Sequence, residues 1–187
     1  MNLTLRQDRP GPQLASPEQP AAGPPAPALL SPEPLSPARL ASVVAAIAAS
    51  PALWRPLVRF SAERRWYYRL DQADPNPAYE LWLLSWLPGQ QTGFHDHGDA
   101  SGAFAVADGE LLESTAQVGR REIRSRSLVT GAVRSFGPAY LHDVRNAGDR
   151  PAVSVHAYSP ALSLMRRYEM AGSGLVQVGA ESADDGW

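Results

Sequence analysis

The stretch Gly89-Gln90-Gln91-Thr92-Gly93-Phe94-His95-Asp96-His97-Gly98-Asp99-Ala100-Ser101-Gly102 decides the reading of this chain. His95 and His97 are two residues apart, so in an extended segment both imidazoles project from one face, with Asp96 turned away. Two neutral imidazoles side by side are a natural start for a metal site. Only two further histidines exist, His142 and His156. His142 shares a strand face with Val144 and Asn146 if its own segment is extended.

Composition removes competing chemistries. The chain contains no cysteine, which excludes disulfides, thiolate nucleophiles and cysteine-ligated zinc or iron–sulfur centres. It also contains no lysine, since all 17 cationic side chains are arginine, so a lysine Schiff base is impossible. A net charge of −2 gives no basic footprint for nucleic acid. No apolar run reaches transmembrane length, and no secretory signal is evident, so a cytoplasmic protein free of membrane is expected.

Outward from the histidines the pattern is β. Short segments rich in Val, Tyr, Trp, Leu and Phe predict strands over 65–70, 80–87, 102–107, 110–118, 122–128, 132–136, 141–146 and 153–158. Turn residues separate them at Pro75-Asn76-Pro77, Pro88-Gly89, Asp108-Gly109 and Ala147-Gly148-Asp149. Such a series predicts a mostly β fold, a closed barrel or double-sheet jelly roll. One or two helices precede it. Ser36 is an N-cap candidate, Pro37 suits the first helical position, and Leu40, Val43, Val44 and Ile47 fall at helical spacing. Pro51 ends this helix, and a second is expected over 53–60. Residues 1–36 carry nine of the 18 prolines and read as a disordered Pro/Ala-rich tail, leaving 37–187 as the folded domain. The last stretch, 172–187, is weakly patterned.

The spacing from Gly89 through His95, His97 and Gly102 to Gly109, with the later Gly137-Pro138-Ala139-Tyr140-Leu141-His142-Asp143-Val144-Arg145-Asn146, resembles the two cupin motifs. The glutamate ligand usual in cupins would fall at 102, where glycine stands. Three neutral imidazoles with open metal positions remain, a donor set compatible with iron, zinc, copper or nickel and favouring an anionic ligand.

More narrowly, the chain resembles the cysteine dioxygenases, cupin-type thiol dioxygenases, over roughly 64–158. The resemblance implies one Fe(II) per chain held by His95, His97 and His142. It implies a relay of Ser154, His156 and Tyr158, which share a strand face by alternation. It also implies a substrate-binding set of Arg69, Tyr67 and Trp86, with Arg69 holding the substrate carboxylate and Tyr67 and Trp86 shaping the pocket. Position 102 carries a cross-linked cysteine in mammalian members, whereas bacterial members resemble this chain in having glycine. The implied activity is oxidation of L-cysteine by O₂ to cysteine sulfinic acid, by a monomer whose partner is a small thiol. Related enzymes take 3-mercaptopropionate, and Arg166 or Arg167 could also meet a carboxylate. Two other classes fit a three-histidine cupin: a non-catalytic metal-binding sensor, disfavoured by the aligned relay, and a zinc hydrolase, for which only His156 offers a base.

Overall fold

A computed structural model describes residues 33–72, 76, 78–172 and 174–182. Most of the expected tail, residues 1–32, lies outside this range, as does the Pro75-Asn76-Pro77 turn apart from Asn76. Helix α1 spans Pro37–Ala48, with Pro37 in its first turn and the Ser36 hydroxyl accepting from the Arg39 amide. Leu35, just before this cap, packs against the core, and its amide donates to Ser159 Oγ at 2.8 Å. The second helix is shorter than expected. α2 covers Pro51–Trp54 and passes into a single 3₁₀ turn over Arg55–Leu57, because Pro56 has no amide proton to continue an α-helix.

Eleven strands follow: β1 (Trp66–Arg69), β2 (Glu80–Trp86), β3 (Phe94–Asp96), β4 (Ser101–Asp108), β5 (Glu110–Thr115), β6 (Arg124–Val129), β7 (Val133–Phe136), β8 (His142–Arg145), β9 (Ala152–Ser159), β10 (Leu164–Ala171) and β11 (Gly174–Ser182). They form two antiparallel sheets, ordered β1-β2-β9-β4-β7 and β11-β10-β3-β8-β5-β6, the double-sheet architecture expected from the sequence. All eight expected strands are present; β4 and β9 run one residue further at each end than expected, β6 is shifted toward the C-terminus, and the other five are shorter. β3, β10 and β11 were not expected. β3 is only three residues long, and β10 carries Arg166, Arg167 and Glu169 on a half-buried surface with a bulge after Arg167, which blurs its alternation.

Alternation within the first sheet builds two apolar layers. Leu81, Leu83, Ala103, Ala105, Ala107, Val153, Val155 and Ala157 face outward against Leu40 and Val44 of α1 and Trp54 of α2. The alanines of β4 leave room for the helix to lie close. The opposite face sends Trp86, Phe104, Val106 and Tyr158 into the barrel, where they meet Leu111, Leu128, Phe136 and Val144. Because α1 covers the back of β9, the whole of that strand is buried, and Ser154, His156 and Tyr158 point inward.

The β4–β5 turn depends on glycine. Gly109 has φ +81°, and a Cβ there would lie 2.8 Å from the Pro151 carbonyl oxygen. Gly109→Ala is therefore expected to cost about 1–3 kcal/mol. A shifted denaturant midpoint checks this; an unchanged midpoint would contradict the turn geometry.

Candidate metal centre

Three neighbouring strands bring the histidines together. β3 pairs with β8 so that His95 sits directly opposite His142, and β10 pairs with β3 so that Arg167 sits opposite His95. His97 follows at the end of β3. The ligand atoms of His95, His97 and His142 lie within 4.8 Å of one another, and all three residues are buried. Asp96, expected to face away, does so but is not solvated. Its carboxylate accepts from the Gly98 amide at 2.9 Å, the Tyr168 hydroxyl at 2.6 Å and Arg166 at 3.2 Å, which pins the His-x-His segment to β10.

The hydrogen bonds orient the rings. His95 Nδ1 meets the Gly93 carbonyl oxygen at 2.9 Å, and His142 Nδ1 meets the Glu113 carboxylate at 3.1 Å. An acceptor on Nδ1 makes that nitrogen the protonated one and leaves Nε2 as the donor atom for a metal. His97 has no hydrogen-bond partner on either ring nitrogen although both are buried. Buried polar atoms without partners are rare, and a divalent cation would satisfy one here. Burial, then the neighbouring imidazoles, hold His95 and His97 far below the ordinary histidine pKa, so they are neutral and able to ligate. The donor set therefore fits a divalent transition metal.

Position 102 is glycine and supplies no fourth ligand. A Cβ on Gly102 would fall 2.4 Å from the Phe136 ring and 3.1 Å from Tyr158. That Phe136 ring stacks on His97 at 5.1 Å and on Tyr140 at 4.8 Å.

His95 and His142 open onto a cavity of about 110 Å³ whose lining also includes Arg65, Tyr67, Trp82, Leu84, His156, Tyr158, Leu162, Met165 and Arg167. The expected relay is assembled here, with His156 and Tyr158 on the lining and Ser154 bonded to His156. Trp86 Nε1 donates to Ser154 Oγ at 2.9 Å, Ser154 Oγ lies 2.8 Å from His156 Nε2, and His156 Nδ1 lies 3.4 Å from the Tyr158 hydroxyl. Burial, then the neighbouring His142 and the Arg65 guanidinium, push His156 down to about 3, and burial pushes the Tyr158 phenol up, so both are uncharged. Trp86 lies behind the relay rather than on the cavity wall.

Arg69 is elsewhere. It shares a strand face with Tyr67, but its guanidinium is held by Asp71 at 2.9 Å, with Glu80 at 3.7 Å, and it does not line the cavity. Two arginines do, Arg65 and Arg167, and Arg65 stands two residues before Tyr67, an alternation that the sequence carries. The Arg65 guanidinium lies 4.9 Å over the Trp86 ring, and one amine donates to the Gln91 carbonyl at 3.0 Å. Its Nε is buried and has no partner. Arg167 is bound on both sides of its fork by Glu181, at 2.9 and 2.8 Å.

Removing a ligand should separate metal from fold. His97→Ala is expected to keep its circular-dichroism spectrum yet lose the one tightly held divalent ion through gel filtration. A variant that retains a full equivalent of metal would remove His97 from the ligand set.

The profile of the family described as cysteine dioxygenase type I matches residues 35–171. Cysteine dioxygenase type 1 of Danio rerio is 28% identical over 129 residues, covering 64% of this chain and 63% of the fish protein. The Rattus norvegicus protein of the same name is 27% identical over 138 residues, covering 68% of this chain and 67% of its own. The chain thus spans just under two thirds of the length of the first of these relatives. A solved Klebsiella pneumoniae protein with a double-stranded β-helix domain aligns at a TM-score of 0.49, with 17% identity over 67% of this chain and 93% of that one. With a family profile covering most of its described domain, the chain belongs to the cysteine dioxygenase type I family.

Proposed function

We propose that the chain is a thiol dioxygenase that converts L-cysteine and O₂ to cysteine sulfinic acid, with iron held by His95, His97 and His142. The observation that carries this reading is one small cavity lined by His95 and His142, two of the three clustered buried imidazoles, and by a cation with an unpaired N–H, Arg65 Nε. The reaction balances without a further reductant. Both atoms of O₂ bond to sulfur, the electrons lost by sulfur equal those gained by oxygen, and the thiol proton leaves with the acid. Bound iron would supply the redox chemistry that lets O₂ react with a thiolate.

The chain's own residues bind and orient. Arg65 holds the substrate carboxylate through Nε and its fork, in place of the Arg69 implied by the resemblance, because Arg69 is already paired with Asp71. Tyr67 packs edge-on to Trp82, at 5.8 Å, and closes that side of the cavity. The relay has a direction. The indole of Trp86 can only donate, so Ser154 Oγ accepts from it and gives its own proton to His156 Nε2. His156 Nδ1 then carries the ring proton toward the Tyr158 oxygen, and the phenolic proton of Tyr158 is left to point at the substrate. Tyr158 thereby offers a hydrogen bond to an oxygen or sulfur atom in the cavity.

Kinetics of the iron-loaded protein test these roles. Arg65→Met is expected to raise KM for cysteine by about 10–100-fold, the loss of a charged hydrogen bond, and to leave cysteamine, which has no carboxylate, unaffected. Arg69→Met should change neither. Equal losses in both variants, or a loss confined to Arg69→Met, would contradict the assignment. Preference of the unaltered protein for 3-mercaptopropionate would keep the chemistry and replace the substrate. Tyr158→Phe should lower kcat by about 100-fold or more at unchanged iron content; unchanged turnover would make Tyr158 a packing residue.

A further inference from the structure

The three ligands are not equivalent. His95 gives its Nδ1 proton to a neutral carbonyl, and His97 gives neither nitrogen to the protein. His142 alone is backed by a carboxylate, Glu113 Oε1 at 3.1 Å. Glu113 is 1% exposed and stands on β5, facing Val144 of β8 across the sheet. Its other oxygen, Oε2, accepts from Arg134 Nε at 2.7 Å. The Tyr140 hydroxyl donates to Oε1 at 3.2 Å and accepts from Arg134 Nη2 at 3.2 Å. A buried carboxylate is thus held in one orientation by two side chains, with its remaining lone pair aimed at a metal ligand.

We propose that Glu113 is a positioning residue for the metal centre, supplying through His142 the negative charge that no direct ligand provides. The proposal rests on the three-histidine iron site proposed above. A carboxylate accepting the Nδ1 proton raises electron density on Nε2 and fixes the ring plane. That matters more in this chain than where a carboxylate binds the metal itself, because position 102, where such a ligand would stand, is glycine. Tyr140 sets the strength of the effect. Its hydroxyl shares Oε1 with His142, so it draws off part of the charge that His142 would otherwise receive. Loss of the carboxylate charge and loss of the tyrosine hydroxyl should therefore act in opposite directions, which a purely structural network would not do.

The test measures ferrous affinity by chelator competition, and the ferric/ferrous midpoint potential, for the full chain, Glu113→Gln and Tyr140→Phe. Glu113→Gln is expected to bind Fe(II) about 10–100-fold more weakly and to have a raised potential. Tyr140→Phe is expected to have a lowered potential. A folded Glu113→Gln protein with the original affinity and potential would overturn the proposal, as would shifts of the same sign in both variants. If Glu113→Gln does not fold, the sign for Tyr140→Phe decides: a fall supports the proposal, and no change or a rise overturns it. Failure of the unaltered chain to bind iron would strike the proposed function itself, and is visible before any variant is compared.

Discussion

Everything in this barrel is arranged around His97, a buried imidazole to which the protein gives no hydrogen-bond partner. Leaving a buried polar group unpaired costs about 1–3 kcal/mol, and two more imidazoles within ligand distance would raise the cost further if any were charged. The neighbours make sense as a response. Asp96, Tyr168 and Arg166 fix the segment that carries His95 and His97, and Glu113 fixes the ring of His142. Phe136 stacks on His97 and fills the space where a fourth ligand would enter. Each contact holds a donor atom toward one point and none competes for that point, as a cation site requires.

The fold reaches this arrangement by giving one sheet two different neighbours. Helix α1 lies against β4, β9 and β7, and Leu81 and Leu83 of β2 join the same apolar cluster, so that alanine, valine and leucine are used on this outer face. The same strands carry Trp86, Ser154, His156 and Tyr158 into the inner apolar layer, where their polar atoms hydrogen-bond one another. The opposite sheet supplies the histidines and Arg167. Metal ligands and relay thus come from different sheets and meet only because the barrel closes. The position of Tyr158 beside His97, with rings 4.8 Å apart, is a consequence of that closure.

Much of this was legible in the sequence because it depends on local spacing. A period of two puts His95 beside His97 and lines up Ser154, His156 and Tyr158, and the Asp108-Gly109 turn follows from the conformational demand on glycine. Non-local choices were not legible. Arg65 immediately precedes β1 and Tyr67 and Arg69 alternate along it, and only the position of Asp71 and Glu80 decides which arginine is drawn off. Glu113 left a faint signal, since it alternates with the buried Leu111, and an acid on a core face demands partners. Its partners Arg134, Tyr140 and His142 lie 21 or more residues away, beyond any local pattern. β10 and β11 were hidden for a related reason: half-exposed strands dilute the alternation that marks a strand.

The proposed activity places both atoms of one O₂ on the sulfur of a small thiol. Incubation of the iron-loaded chain with L-cysteine under ¹⁸O₂, with the product read by mass spectrometry, follows those atoms. The expected product is cysteine sulfinic acid with both sulfinate oxygens labelled. Product carrying a single labelled oxygen, or disulfide formed in place of sulfinate, would contradict the proposed activity.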